Sequence, residues 1–335
     1  MSSHEVRSAS CTSSAAPGFR DKFGPVVDSR GEVIFQDLKT RDLLNRLTYP
    51  GMPFGWTANP YRGCEIGCAY CYARPTHEYL GQAGQGAFEH VIFVKRAELG
   101  LLRERLRAAR ASDLEIAIGT ATDPYQPGEA RFGVTRQILN AVRDVGGLRV
   151  SITTKGGVGI LRDLELLRSI AERSELMVNT SLISLDANLL RRLEPRAPRP
   201  DLRLRAMNGL ARAGIPARLF AMPVLPYLTD GEADLRALIA AARRAGAGQV
   251  VSNALFRRGA TKSFFLDWLD REKPELAGRY RELYRGSAYV SRVYRERLEA
   301  LVNRLAKEEG IQGRTRAERI RQEAPARPRQ LALEW

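Results

Sequence analysis

Cysteine and histidine are scarce in this chain of 335 residues, with 4 of the first and 3 of the second. Three of the cysteines crowd into eight residues, so they cannot form the even, dispersed framework of a small disulfide-stapled secreted domain. Long apolar runs are missing too: no stretch of 18 consecutive apolar residues occurs, which excludes a membrane-spanning helix. The opening residues Met1-Ser2-Ser3-His4-Glu5 lack the apolar segment of a signal peptide, so the expected location is the cytoplasm, without a membrane partner. Acidic residues are in deficit, 38 Asp plus Glu against 53 Lys plus Arg, for a formal net charge of +15. That excess favours a polyanionic partner such as nucleic acid, or an anionic substrate or cofactor; the plain alternative is a set of solvated, arginine-rich helix faces. What is present is ample core material. Hydrophobic residues make up 44% and charged residues 27%, which excludes global disorder, and the length allows one large α/β barrel or two smaller units.

Cys11 lies in the serine-rich stretch Ser8 to Ser14, which reads as a tail. The other three fall in Gly63-Cys64-Glu65-Ile66-Gly67-Cys68-Ala69-Tyr70-Cys71-Tyr72. Three thiols so close together in a reducing compartment are most simply metal ligands, because thiolates are soft donors for zinc or iron–sulfur clusters. Zinc would need a fourth ligand, and His77, six residues past Cys71, could supply it. A cube of four irons held by three cysteines instead leaves one iron free for a small chelating molecule. Cys-x3-Cys-x2-Cys with an aromatic residue, here Tyr70, before the last cysteine is the radical S-adenosylmethionine (SAM) signature.

Further strings extend the match: Asn59-Pro60-Tyr61-Arg62-Gly63-Cys64, Tyr72-Ala73-Arg74-Pro75-Thr76-His77-Glu78-Tyr79, Gly119-Thr120-Ala121-Thr122-Asp123-Pro124-Tyr125-Gln126-Pro127, Thr154-Lys155 and Leu193-Glu194-Pro195-Arg196. From about Thr57 to Val224 the chain resembles radical SAM proteins of a mostly uncharacterised branch related to spore photoproduct lyase. The resemblance implies an enzyme with a partial (β/α)6 barrel of parallel strands. It also implies a 4Fe-4S cluster on Cys64, Cys68 and Cys71, S-adenosyl-L-methionine as cofactor, and an external one-electron reductant of the ferredoxin or flavodoxin type. The expected chemistry is reductive cleavage of the cofactor to a 5′-deoxyadenosyl radical that takes hydrogen from a substrate, with nucleic acid the substrate class that the charge favours. The competing reading is a non-catalytic, zinc-stabilised nucleic-acid-binding protein using the three cysteines and His77.

The element pattern fits a barrel. Helical spacing at Leu99–Ala109, Gln137–Val145, Val158–Ile170, Asp186–Leu193, Asp201–Ala213 and Gly231–Ala245 alternates with strand-like runs at Leu114–Gly119, Arg149–Thr154, Leu176–Ser181, Ala217–Val224 and Gln249–Asn253. Strands alternating with helices predict a parallel sheet with right-handed crossovers. Residues 1–50 read as an irregular extension, partly disordered, with an apolar patch at Val33-Ile34-Phe35 and a helix at Asp42–Leu47. The barrel is expected over 51–260, C-terminal helices over 261–312, and a basic, proline-containing tail over 313–335.

In such a barrel, chemistry sits at the carboxyl ends of the strands. The resemblance places Tyr70 beside cluster and adenine, and Thr122 and Lys155 at positions that contact the cofactor, with Asp123 and, more weakly, Ser181 and Asn179 as further candidates. Each has an ordinary alternative. Asp123 could cap a turn, Lys155 could be an exposed strand-end lysine, and Tyr70 could be a core tyrosine. Gly63 and Gly67 would let the loop turn around a cube or simply be loop glycines. His77 reads first as a packing histidine, and Glu129 and Arg131 as solvated loop charges. Tyr125 could relay a hydrogen atom, although nothing in the sequence selects it. One departure stands out. Spore photoproduct lyase carries a hydrogen-donating cysteine where alignment places Thr120, and a threonine O–H bond is too strong for that role, so thymine-dimer repair is not expected.

Overall fold

Apolar residues at near-helical spacing build the outer layer of the molecule. In the helix Val134–Val145, Ile138, Leu139 and Val142 are buried on one face, and each contributes about 1.5–3 kcal/mol by leaving water. Glycine bounds this helix at both ends, Gly133 at its start and Gly146 after its last residue. The strands it covers are short and mixed in character, with Val150 and Ile152 of one strand and Val178 of the next joining that same apolar cluster. The alternate residues Ser151, Thr153 and Asn179 bond to polar partners on the opposite face, as the two-residue period of a strand requires. The computed structural model describes residues 23–48, 52–78, 80, 86–257 and 260–314. Cys11, its serine-rich stretch and the tail from 315 onward lie outside the described residues.

In chain order the strands are β1 (Phe23–Arg30), β2 (Val33–Lys39), β3 (Leu44–Arg46), β4 (Trp56–Ala58), β5 (Tyr61–Arg62) and β6 (Val91–Arg96). There follow β7 (Ile116–Ile118), β8 (Arg149–Thr154), β9 (Glu175–Ser181), β10 (Ala217–Val224), β11 (Gln249–Ala254) and β12 (Gln312–Arg314). The larger sheet has eight strands in the order β12-β11-β10-β9-β8-β7-β4-β3. All its pairings are parallel except β3 with β4. Helices Val134–Val145, Leu164–Ala171, Pro200–Arg212 and Glu232–Arg244 make the crossovers that parallel neighbours need. Strands β4 and β7 to β11 are the six units of the partial (β/α)6 barrel read from the sequence. Helices Ala260–Glu272, Pro274–Leu283 and Arg292–Glu308 complete the C-terminal region.

The N-terminal segment departs from expectation. β1 and β2 form an antiparallel hairpin, and β2 then pairs in parallel with β6 in a second sheet of order β1-β2-β6-β5. The helix expected at Asp42–Leu47 is instead the strand β3. Asp42 Oδ1 accepts the Leu44 N–H at 2.9 Å, an Asx turn, and Leu44 to Arg46 then pair with Ala58 to Trp56. Pairing with the following strand overrides a weak local preference. β6 was not foreseen because its residues Ile92 to Lys95 are buried on both faces, which leaves no alternation to read. The helix read over Val158–Ile170 is divided, with a 3-10 turn over Gly157–Asp163 before the α-helix Leu164–Ala171. Residues Gln312–Arg314, assigned to helix end and tail from the sequence, form an edge strand on β11.

The loop after β7 is positioned by Gly119, whose φ is +86° and whose N–H donates to Ala58 O at 3.0 Å. A Cβ there would lie 2.5 Å from Thr153 O and 2.6 Å from Pro124 Cδ. Gly119→Ala is therefore expected to cost about 1–3 kcal/mol in urea unfolding. Gly100→Ala, in a helix with nothing within 4 Å of the added carbon, should leave stability equal or raise it by up to about 1 kcal/mol. Equal midpoints for Gly119→Ala and the unmodified chain would contradict the packing described.

Candidate metal and cofactor site

The cysteine loop leaves β5 through two glycines in the left-handed region, Gly63 at φ +85° and Gly67 at φ +67°. A Cβ on Gly63 would sit 2.8 Å from both Phe88 O and Val91 O, so the bend needs glycine. Segments distant in sequence then clasp the loop. Thr122 Oγ1 donates to Gly63 O at 2.6 Å, and Cys64 N–H donates to Phe88 O at 2.9 Å. Glu65 N–H donates to Gln126 Oε1 at 2.9 Å, and Glu65 Oε1 accepts the Gly128 N–H at 2.6 Å. Ala69 N–H donates to Leu193 O at 2.8 Å, and Arg196 Nη1 to Glu65 O at 3.1 Å. Arg74 grips Cys68 O through Nε at 3.2 Å and Nη2 at 3.0 Å, while Nη1 pairs with Glu89 at 2.7 Å. Thr261 Oγ1 reaches Cys71 O at 3.1 Å from the first C-terminal helix. Three of the five residue strings singled out beyond the cysteines supply a clasp.

The three thiols are free; Cys64 and Cys68 are buried and Cys71 is half-buried. Burial pushes all three above the usual thiol range, Cys68 to about 12, with nearby Lys155 pulling Cys68 and Cys71 back down. Beside Cys68 lies a buried polar cluster. Tyr70 OH donates to Glu194, and Glu194 pairs with Arg203, both side chains of that ion pair being out of water. Arg203 Nη1 also donates to Ser181 O at 3.1 Å and Nε to Pro198 O at 2.7 Å. Lys155 Nζ donates to Ser181 Oγ at 3.0 Å and stands 5.6 Å from the Tyr70 ring centre. Burial alone would raise Glu194, yet the charges of Arg203 and Lys155 hold it below the ordinary carboxylate range. Burial would lower Lys155, but the fields of Cys68 and Glu194 leave it raised.

Tyr70, Lys155 and Ser181 are thus brought together, and Lys155 is bonded rather than an exposed strand-end residue. Thr122 lies in the same loop cluster, its oxygen also accepting from Gln126 Nε2 at 3.1 Å. Asp123 has the geometry of a cap: its carboxylate accepts from Tyr125 N–H at 2.9 Å, Thr154 Oγ1 at 2.6 Å and Lys155 N–H at 2.6 Å. Buried Asn179 donates to Thr153 Oγ1 at 3.1 Å, and its Oδ1 has no partner among the described residues. Glu129, read as a solvated charge, is instead buried and bonded by Tyr61 and Arg162. Arg131 is exposed, paired with Asp28. The residues that the sequence reading missed are Glu194, Arg203, Arg74 and Gln126. Three of them lie in strings already noted, but Arg203 is one of several similar arginines on its helix and carried no local signal.

His77 is a packing histidine. Its Nε2 is 2.8 Å from Val91 O, and its ring lies 5.3 Å from Phe88 and 5.6 Å from Phe93. Among the described residues no three or more His, Cys, Asp or Glu side chains converge as a single-ion site. Three soft thiols on one pre-shaped loop fit a cluster that keeps one iron for a small ligand.

Comparison with known proteins agrees with this fold. The family model described as the radical SAM superfamily matches residues 58–239. The uncharacterized protein Rv2578c of Mycobacterium tuberculosis is 38% identical over 267 residues, 79% of this chain and 78% of that protein. The uncharacterized protein MJ0683 of Methanocaldococcus jannaschii is 28% identical over 206 residues, 62% and 73% of the two chains. Among solved structures, spore photoproduct lyase complexed with dinucleoside spore photoproduct matches with a TM-score of 0.64 at 15% identity, covering 84% of this chain and 81% of that one. A mutant of the same lyase with bound AdoMet matches at 0.63, 15% identity, 83% and 81% coverage.

Two outcomes follow from the electrostatics. Arg203→Leu strands the Glu194 carboxylate in the interior and should cost about 3–5 kcal/mol, most of it recovered when Glu194→Leu is added. A double-mutant cycle in urea measures this, and additive losses would refute the coupling. Burial lowers His77 below its ordinary value of 6.5, so the unfolded chain takes the proton more readily. Stability is then complete above pH 6.5 and falls as the pH drops below it. His77→Gln should remove the part of the loss that sets in as the pH falls through 6.5, and an unchanged pH profile would contradict the assignment.

Proposed function

The chain belongs to the radical SAM superfamily, and from that premise we propose that this enzyme holds a 4Fe-4S cluster on Cys64, Cys68 and Cys71 and S-adenosyl-L-methionine against the adjoining strand ends. The observation that carries the reading is the three-thiol loop, clasped by residues of four separate segments and set at the carboxyl ends of parallel strands. Bound together, the cluster and the sulfonium cofactor supply one-electron reductive cleavage to a 5′-deoxyadenosyl radical able to take hydrogen from a substrate. The chain's own residues provide the positioning. Lys155 offers a raised, cationic Nζ to a carboxylate, and Ser181 a hydroxyl beside it. Tyr70, oriented by Glu194, presents its ring to the same space. Thr122 and Asp123 act mainly by holding the loop and the Lys155 backbone in place, and Asn179 Oδ1 is an acceptor ready for a ligand hydroxyl. Burial of these groups keeps water from the reacting atoms.

The reductant fitting this chemistry is an external one-electron donor of the ferredoxin or flavodoxin type. The charge of +15 supports a polyanionic substrate. Thr120, held by Asn59 Nδ2 at 3.0 Å with its carbonyl accepting from Tyr72 OH, offers no thiol, so the reaction is not one that recovers hydrogen from a cysteine there.

Anaerobic reconstitution tests the proposal. The chain should bind about four irons and, once reduced, release 5′-deoxyadenosine from S-adenosylmethionine. Cys68→Ala should abolish that release. A colourless, zinc-loaded protein indifferent to the cofactor would overturn the reading.

A further inference from the structure

Large apolar side chains are exposed at seven described positions, and three of them, Tyr227 (42%), Tyr289 (47%) and Val293 (74%), gather near the ends of β10 and β11. Tyr289 stacks on Phe256, ring centres 5.3 Å apart and planes 21° apart, where the two segments meet in an isolated bridge just past β11. Arginines cover both tyrosines. The Arg279 guanidinium lies 3.9 Å from the Tyr227 ring centre, and that of Arg295 5.8 Å from Tyr289. Neither arginine has a carboxylate partner among the described residues, although neighbouring Arg281, Arg285 and Arg292 all do.

The ledge is held in place, and at a cost. Tyr227 has φ +63°, one of two non-glycine residues in the left-handed region among those described. For an aromatic residue this conformation costs about 1–2 kcal/mol, and it persists because its surroundings enforce it. Tyr227 N–H donates to Asp230 Oδ1 at 2.7 Å, while Asp230 Oδ2 accepts from Tyr294 OH at 2.6 Å, tying the β10 loop to the last helix. The ring stands edge-on to buried Tyr280 at 6.1 Å. The ledge lies past the carboxyl ends of β10 and β11, since Tyr227 follows β10 and Tyr289 bridges to Phe256 just after β11, and the cysteine loop lies past the carboxyl end of β4 in the same sheet.

Exposed rings with cationic neighbours that lack anionic partners form a surface for flat bases linked by phosphates. We propose that this ledge binds single-stranded nucleic acid, with bases stacking on Tyr227 and Tyr289 and phosphates meeting Arg279 and Arg295. A duplex hides its base faces and could use only the arginines, and an acidic peptide offers no succession of rings. The inference rests on the reading above only in taking the carboxyl-end face as the reactive one.

The test is fluorescence anisotropy of the full reconstituted chain with labelled oligothymidylate of about twelve nucleotides. Replacing both tyrosines with leucine should weaken binding about tenfold at unchanged salt dependence, and replacing both with phenylalanine should retain it. Arg279→Gln with Arg295→Gln should weaken binding and lower the slope of log affinity against log salt by about 1.4. All variants should still release 5′-deoxyadenosine from S-adenosylmethionine without substrate, because no ledge residue belongs to the cofactor site. Loss of that release in the unmodified chain would count against the enzyme reading and leave the ledge to the anisotropy result. No binding by the unmodified chain, equal affinity in the leucine pair, or tighter binding of a duplex of the same length would overturn the proposal.

Discussion

A buried ion pair joins the parts of this molecule that must not move relative to one another. Glu194 and Arg203 are both removed from water, and the glutamate also accepts from Tyr70 while the arginine donates to the carbonyl that ends β9. Cysteine loop, strand end and the turn after β9 therefore share one charged junction. Two buried charges are tolerable only when each is fully bonded, and the remaining donors of Arg203 are satisfied by backbone oxygens. The same pair sets the local field, keeping Glu194 ionised beside Cys68 and Lys155 and fixing Tyr70 of the cysteine loop.

Around this junction the loop is built in advance of whatever it binds. Two glycines supply the bends, and side chains from between β5 and β6, from after β7 and β9 and from the first C-terminal helix take up its backbone donors and acceptors. Thr122, Gln126, Arg74 and Arg196 spend their polar atoms on the loop. A site assembled this way loses little order when a ligand arrives, which is how a fold places soft donors accurately without a dedicated domain.

Much of the barrel was readable because its helices are amphipathic and its strands short and bounded by turns. The failures share a cause. β3 and β6 take their structure from partners outside their own segments: Leu44 to Arg46 extend because Trp56 to Ala58 lie beside them, and Ile92 to Lys95 are covered on both faces. The misjudged side chain falls in the same class. Glu129 looks like a loop carboxylate until Tyr61 and Arg162 close over it.

The linear chain by itself determined the thiol spacing, the glycine bends beside it and the alternation that demands parallel strands, since each depends on neighbours a few residues away. Only the three-dimensional packing decided which arginine would balance Glu194, which polar groups would be used up in holding the loop, and where exposed tyrosines would meet arginines that have no carboxylate partner among the described residues. Those outcomes depend on contacts between residues often tens of positions apart, where the cost of burying a charge or freeing a carbonyl is settled by geometry rather than by sequence.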